Sequence, residues 1–350
     1  MTEAAFTRRV LIAIGILVMA AAAFLISFEA IPVLLLLFLS VLLAIFIRAL
    51  AHFVGRYTDW RFRWNMLTVV AGIAGLLTLG ALLLGPNAVA QVSGVMAQLP
   101  EVRRRLDQYG WSGLLYHIPG MQDLLNGHLN IWNRMTQSFS FSATFGPVIS
   151  IGLVIIIGIY LAASPEPYLS GFVLPWPAKR REAVRAVLLD MADTLRRWLL
   201  GQAAGMLFIG IVVGIGLHIM RMPVATSLGI FAGLMAFVPN IGYFVSIAPA
   251  ILLAVLQSPL TPLYVVILYT AAHWSNDYVL MPLMQKRNVQ LPPALNISTQ
   301  LVLGYLLGGL GLLIAAPLVA VLLVLGKSLE VLRLPYPGEA GSSPTSDVTY

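Results

Sequence analysis

The sequence predicts an all-α, polytopic helical membrane protein, and three observations predict it. Hydrophobic residues fill 59% of the 350 positions and charged residues only 10%, a balance far from that of soluble globular domains. The apolar residues come in long runs of Leu, Ile, Val, Ala and Gly, without the alternation of an outer-membrane barrel. Two of these runs, 223–257 and 298–332, are interrupted in the middle by Pro and Gly. A continuous helix of that length would measure about 50 Å against a hydrocarbon core of about 30 Å. Each is therefore expected to be a broken or re-entrant helical hairpin, and the pair, each following an ordinary span, has the pattern of inverted repeats.

Composition also excludes. With no cysteine in the chain, a disulfide framework, a thiolate metal site and a Cys nucleophile are ruled out. The net charge of +7 is spread over short basic clusters at Arg8-Arg9, 48–63, 179–197, Lys286-Arg287 and Lys327 with Arg333. That distribution argues against nucleic acid as a partner and places these loops on the cytoplasmic side, beside membrane lipids. No HExxH or GxSxG motif occurs, and Gly326-Lys327-Ser328 lacks the first Gly of a phosphate loop because Val321 stands there. The chain is expected to be neither an enzyme nor a cofactor or metal binder.

In order, residues 1–85 supply N-terminal transmembrane helices at 10–28, 31–50 and 66–85. A basic aromatic loop with His52, Arg56, Trp60 and Trp64 lies between the last two, as at a headgroup interface. Residues 86–145 are polar and rich in Pro and Gly, an extracytoplasmic region of short amphipathic helices. Residues 146–334 form the transport core. Its first span, 146–163, ends at Ser164-Pro165-Glu166-Pro167-Tyr168, because Pro disfavours helical geometry in the residue before it. Within 178–198, Val184, Val187, Leu188, Met191, Leu195 and Trp198 recur at helical spacing against a basic face. This pattern predicts an amphipathic helix lying on the inner leaflet. The spans 199–219 and 260–281 follow, the latter closed by Pro282, with the first broken stretch between them. If both broken stretches are hairpins, Lys286 and Arg287 fall in the cytoplasm with both termini. The Gly, Ser and Pro of 335–350 predict a disordered tail.

The candidate pathway residues sit at the interruptions. Pro239 removes a backbone donor and Gly242 permits dihedrals other residues avoid, so Pro239, Asn240 and Gly242 can expose polar backbone to a solute. A kink satisfied by neighbouring helices is the equally weighted structural reading. Ala at both Pro239 and Gly242 is expected to strengthen local helicity, a change that a scaffold should tolerate and that should cost a transporter its flux. Gly308 and Pro317 interrupt the second stretch, where small residues at helical spacing also serve close packing. Asp277 is the acid isolated within an apolar span, and so the candidate coupling-ion carrier, or a partner of Lys286 or Arg287. Asn276 and Gln300, with Gln202 and Asn296, either line a polar path or make interhelical contacts.

These residues resemble a known family, the autoinducer-2 exporter-like permeases of bacterial inner membranes. The markers are Pro165 to Tyr168 with Leu174-Pro175, then Trp198-Leu199-Leu200-Gly201-Gln202, Phe237 to Gly242, and Asn276 to Pro282. Val289-Gln290-Leu291-Pro292-Pro293 and the closing Gly308 to Pro317 run complete them. The match covers most of 150–332. It departs at Pro292, where the family usually has His, at Lys286, near which it has Gly, and in the order Asn276-Asp277, which is reversed. The resemblance implies a multi-pass inner-membrane permease that forms a ring-like homo-oligomer such as a pentamer. It also implies export of a small signalling solute or cation/proton exchange. A non-transporting membrane scaffold is the alternative from another class, and a cavity reaching Asn240 and Asp277 is the feature that separates transport from it.

Overall fold

The computed structural model describes residues 31–75, 78, 99–110, 146–284 and 293–333. The expected span 10–28, most of the region 86–145, Lys286, Arg287, Pro292 and the tail from 335 lie outside the described residues. Every regular element among those described is helical. Three helices there are long and apolar enough to cross a membrane, or up to four if a bent pair is counted as one span.

Helix α1, Ile31–Val54, packs with α2, helical over 62–75, and α4, Gly146–Ala163. Ala44, Ile47, Ala51, Met66, Val69 and Ala162 form their shared core. Arg48 fastens the junction. Its Nη1 donates to the Ala162 carbonyl at 2.7 Å, and its guanidinium lies 4.9 Å from the centre of the Phe62 ring. The last carbonyls of any helix lack partners within it, and here one of them receives a charged donor. Past Ala163 the chain bends by 88° into α5, Glu166–Val173, as Pro165 requires.

Between α2 and α4 lies α3, Leu99–Gln108. Its Val102 and Leu106 bury themselves against Val255. On its exposed side Arg104 and Arg105 hydrogen-bond Glu101 and hold that carboxyl down at about 2.

The spine of the core is α6, Ala178–Ile219. The expected leaflet helix 178–198 and span 199–219 run together as one rod of about 63 Å at 1.5 Å per residue. No Pro interrupts the sequence between them. The apolar stripe read as leaflet-facing is partly taken by protein, because Leu195, Trp198 and Leu199 pack with Leu42 of α1 and with Ala316 and Ala320.

Helix α7, Ala225–Met235, returns along α6 at backbone contact. A Cβ on Gly229 would stand 2.5 Å from the Cα of Gly214, and one on Gly233 would stand 2.7 Å from the Met206 carbonyl oxygen. Gly210 and Gly214 thus face Gly229 and Gly233, two four-residue glycine pairs in register, as close packing in membranes favours. Helix α8, Ile241–Gln257, and α9, Thr261–Ser275, complete this bundle around Val213, Leu217, Ala250, Ala254, Val265 and Tyr269.

After α9 the backbone widens into a π turn, Asn276–Leu280, and then α10, Met281–Met284. Pro282 was expected to close this span; the helix instead passes through it. Proline lacks the N–H its place in the ladder needs, and the preceding bond has shifted, with Met281 N–H donating to Asn276 five residues back. Helix α11, Pro293–Arg333, follows, with non-helical dihedrals at Gly308.

Candidate functional site

The interruption after α7 is a sharp reversal. Phe237 N–H and Val238 N–H still donate to Leu234 and Met235, but Pro239 cannot donate at all. Asn240 then takes φ 67° and ψ −55°, and Ile241 N–H reaches back to the Pro239 carbonyl at 2.8 Å. A bond spanning two residues around positive φ is the strained form of the γ-turn, held by a residue that is not glycine. Gly242 seals the reversal, since a Cβ there would overlap the Met235 carbonyl oxygen. The stretch is therefore a hairpin. Its two ends meet as well: Gln257 Nε2 donates to the Arg221 carbonyl at 3.0 Å.

Two buried amides clasp the tip. Gln202 of α6 donates to the Ala236 carbonyl at 2.5 Å, and Gln300 of α11 donates to the Pro239 carbonyl at 3.0 Å. Gln300 is 1% exposed and Gln202 6%. Both were expected to line a path or bridge helices, and they bridge helices at the tip itself. The tip also lies deep. Phe237 stacks edge-on against Trp198, with ring centres 5.8 Å apart, and Trp198 is about 31 Å along α6 from Ile219. The hairpin reaches almost the full thickness of a hydrocarbon core.

Asn276 and Asp277 occupy the π turn, a widening that recurs at functional sites. The Asn276 amide donates to Asp277 at 2.9 Å. Asn276 is buried beside Gly205, which stands nearly one turn beyond Gln202 on α6; a Cβ at Gly205 would lie 2.7 Å from Asn276 Oδ1. Asp277 itself is exposed on the described surface. Buried atoms without a hydrogen-bond partner among the described residues are His273 Nε2, Asn276 Oδ1 and Asn296 Oδ1.

The second interruption folds back too. Gly308 has φ 62° and ψ −142°, a conformation open essentially to glycine. A Cβ at Gly311 would overlap the Leu303 carbonyl oxygen, and one at Gly304 would stand 2.6 Å from the Leu312 side chain. In a straight helix those pairs would be about 12 Å apart. Pro317 is fully buried in the second arm, beside Ala316 of the Trp198 and Phe237 cluster. Pro239, Asn240, Gly242 and Gln300 thus meet at one tip, Asn276 and Asp277 lie farther along α6, and Gly308 marks the other tip.

At the tip, Asn240 is exposed and Val238 and Pro239 are half-buried. A cavity of about 550 Å³ lies between α1, α5 and α6, and one of about 430 Å³ beside the loop after α1. Neither has Asn240 or Asp277 in its lining. Among the described residues, no group of three or more His, Asp or Glu side chains is placed to hold a metal ion. The four facing glycines of α6 and α7 went unread in the sequence, although their four-residue spacing was visible there.

A family model described as AI-2E family transporter matches residues 14–330. YueF of Bacillus subtilis, named as a candidate transport protein, is 28% identical over 289 residues, which is 77% of each chain. YrrI of the same organism is 26% identical over 271 residues, 71% of this chain and 76% of its own. The protein sll0060 of Synechocystis is 25% identical over 276 residues, 75% of this chain and 78% of its own. Both of these are likewise named as candidate transport proteins.

Proposed function

The chain belongs to the AI-2E family of transporters, and from that membership we propose a secondary transporter of the bacterial inner membrane that exports a small polar solute, such as an autoinducer-2-like signal. It is a multi-pass membrane transport protein; the solute, the direction and the bilayer are the proposal. Both termini face the cytoplasm in this reading, and the working unit is a homo-oligomer such as a pentamer.

The observation that carries it is the clasped tip at Pro239 and Asn240. A non-glycine residue in a strained γ-turn costs on the order of 1–3 kcal/mol and is kept where the strain serves a function. The Ala236 carbonyl accepts from Gln202 of α6, and the Pro239 carbonyl accepts from Gln300 of α11 as well as from Ile241 N–H. Such bonds can be exchanged for bonds to a passing solute when one hairpin moves against the rod, the manner in which discontinuous helices serve transport. Backbone strain of this kind clusters at sites that bind or switch, which favours transport over a static scaffold.

Cation/proton antiport is the second reading, favoured by Asp277 at a π turn with its carboxylate bonded to Asn276. Flux into proteoliposomes decides among the three. An autoinducer-2-like solute that crosses without a pH gradient supports the first reading. Cation flux that requires a pH gradient supports the second. No flux of any solute by protein that is folded and inserted supports the scaffold.

A further inference from the structure

We propose that this chain carries a site for one anionic phospholipid, with an acyl chain in the apolar groove between α1, α5 and α6 and the phosphate in the basic cavity at His52, Arg56 and Arg196. The groove is the cavity of about 550 Å³, walled by Phe38 and Ile45 of α1, Leu169 and Phe172 of α5, and Leu188 and Leu195 of α6. The second cavity, of about 430 Å³, is lined by His52, Arg56, Trp60, Asn65 and Arg196. His52 and Arg196 line both, so the apolar groove runs into the basic one. From Phe38 to His52 the groove follows about 21 Å of helix, enough for the acyl chain of one leaflet of about 15 Å, half of a hydrocarbon core of about 30 Å.

The charges at the junction favour an anion. Glu166 is bound to Arg185 at 2.8 Å. Asp193 is shared between Arg196 and Arg197, so one carboxylate answers two guanidiniums. Arg48 is committed to the Ala162 carbonyl, and His52 Nδ1 lies 2.8 Å from the Arg48 carbonyl oxygen, which fixes its ring. Arg56 has no ion-pair partner among the described residues. Basic pockets between transmembrane helices on the cytoplasmic side hold anionic headgroups. Trp60 and Trp64, both exposed, set this loop at headgroup depth. A soluble anion would have no use for the groove, whose mouth exposes Tyr168, Phe172 and Leu189.

The site is separate from the hairpin tip, and its test does not depend on transport. Native mass spectrometry of the full-length protein in detergent can be titrated with phosphatidylglycerol, with phosphatidylcholine of the same acyl chains, and with inorganic phosphate as competitor. One phosphatidylglycerol per chain should bind at least about tenfold tighter than phosphatidylcholine, and phosphate should not displace it. Arg56→Gln and Arg196→Gln should each weaken phosphatidylglycerol about fivefold, as for one basic residue at a charged surface, and leave phosphatidylcholine unchanged. Leu189→Gln, at an exposed wall position, should weaken both lipids alike. Equal affinity for the two lipids, full displacement by phosphate, or unchanged phosphatidylglycerol binding in an Arg56→Gln/Arg196→Gln variant of native elution profile overturns the proposal. Unchanged binding in Leu189→Gln removes the acyl chain from the groove.

Discussion

At the scale of single residues, the tip of the first hairpin depends on a few unusual choices. Asn240 bears positive φ without being glycine, so Asn240→Gly should remove much of a strain on the order of 1–3 kcal/mol. Thermal unfolding in detergent should then rise while flux falls, if strain drives the hairpin out of its clasp. A rise in stability with undiminished flux would separate the strain from transport. Gln202→Leu leaves the Ala236 carbonyl buried without its donor, at a cost of about 1–3 kcal/mol; an unchanged melting temperature would show that the bond contributes little. Asp277→Asn preserves the size of the side chain and can keep the bond from Asn276. If Asp277 carries the coupling ion, that variant should fold and assemble but lose its pH-dependent flux. The importance of Asn240 was legible from the sequence only as part of a Pro-Asn-Ile-Gly break. Its neighbours Ala236 and Pro239 are bonded by Gln202 and Gln300, which arrive from distant parts of the chain.

At the scale of elements, the structure separates two substitutions that the sequence treats alike. Ala at both Pro239 and Gly242 reads, in sequence, as a repair that restores continuous helix. Gly242, however, faces the Met235 carbonyl so closely that a Cβ overlaps it. Gly242→Ala should therefore force the arms apart and destabilise by about 1–3 kcal/mol, as overpacking does. Pro239→Ala removes no such contact and should be tolerated. Comparable losses from both, in matched thermal melts, would mean that the break rather than the close approach governs the hairpin. Much of the element pattern was legible because hydropathy and proline positions are local signals: the span 146–163 and both interrupted segments stand where expected. Two features were not. The leaflet helix merges into α6 because amphipathicity marks an apolar face without saying whether lipid or protein covers it. Pro282 fails to end its helix because a π turn can absorb a missing N–H, and periodicity carries no sign of that.

At the scale of the whole molecule, two contacts give the first hairpin its topology. Gln257 bonds the Arg221 carbonyl, so the chain leaves and re-enters the bundle at one level. Val102 and Leu106 of α3 pack on Val255 at that same end. The polar segment containing α3 was read as extracytoplasmic by counting spans, and a straight crossing of 223–257 would have carried Val255 to the opposite side, away from it. These contacts put both ends of the hairpin at the same end of the molecule as α3, so if α3 is extracytoplasmic, as expected from the sequence, both ends face outside and α9 leads inward. The chain has no native cysteine, so single cysteines report without background. Ser258→Cys, in the turn between α8 and α9, should react with a membrane-impermeant maleimide added outside intact cells. Asn288→Cys should react only after the cytoplasmic face is exposed in inverted vesicles. Labelling of both from outside would mean that the stretch from 261 to 284 does not cross, and the inverted pairing of the two hairpins would fail with it. Labelling of Ser258→Cys from inside alone would reverse the whole arrangement, placing α3 and the hairpin ends in the cytoplasm against the distribution of basic loops.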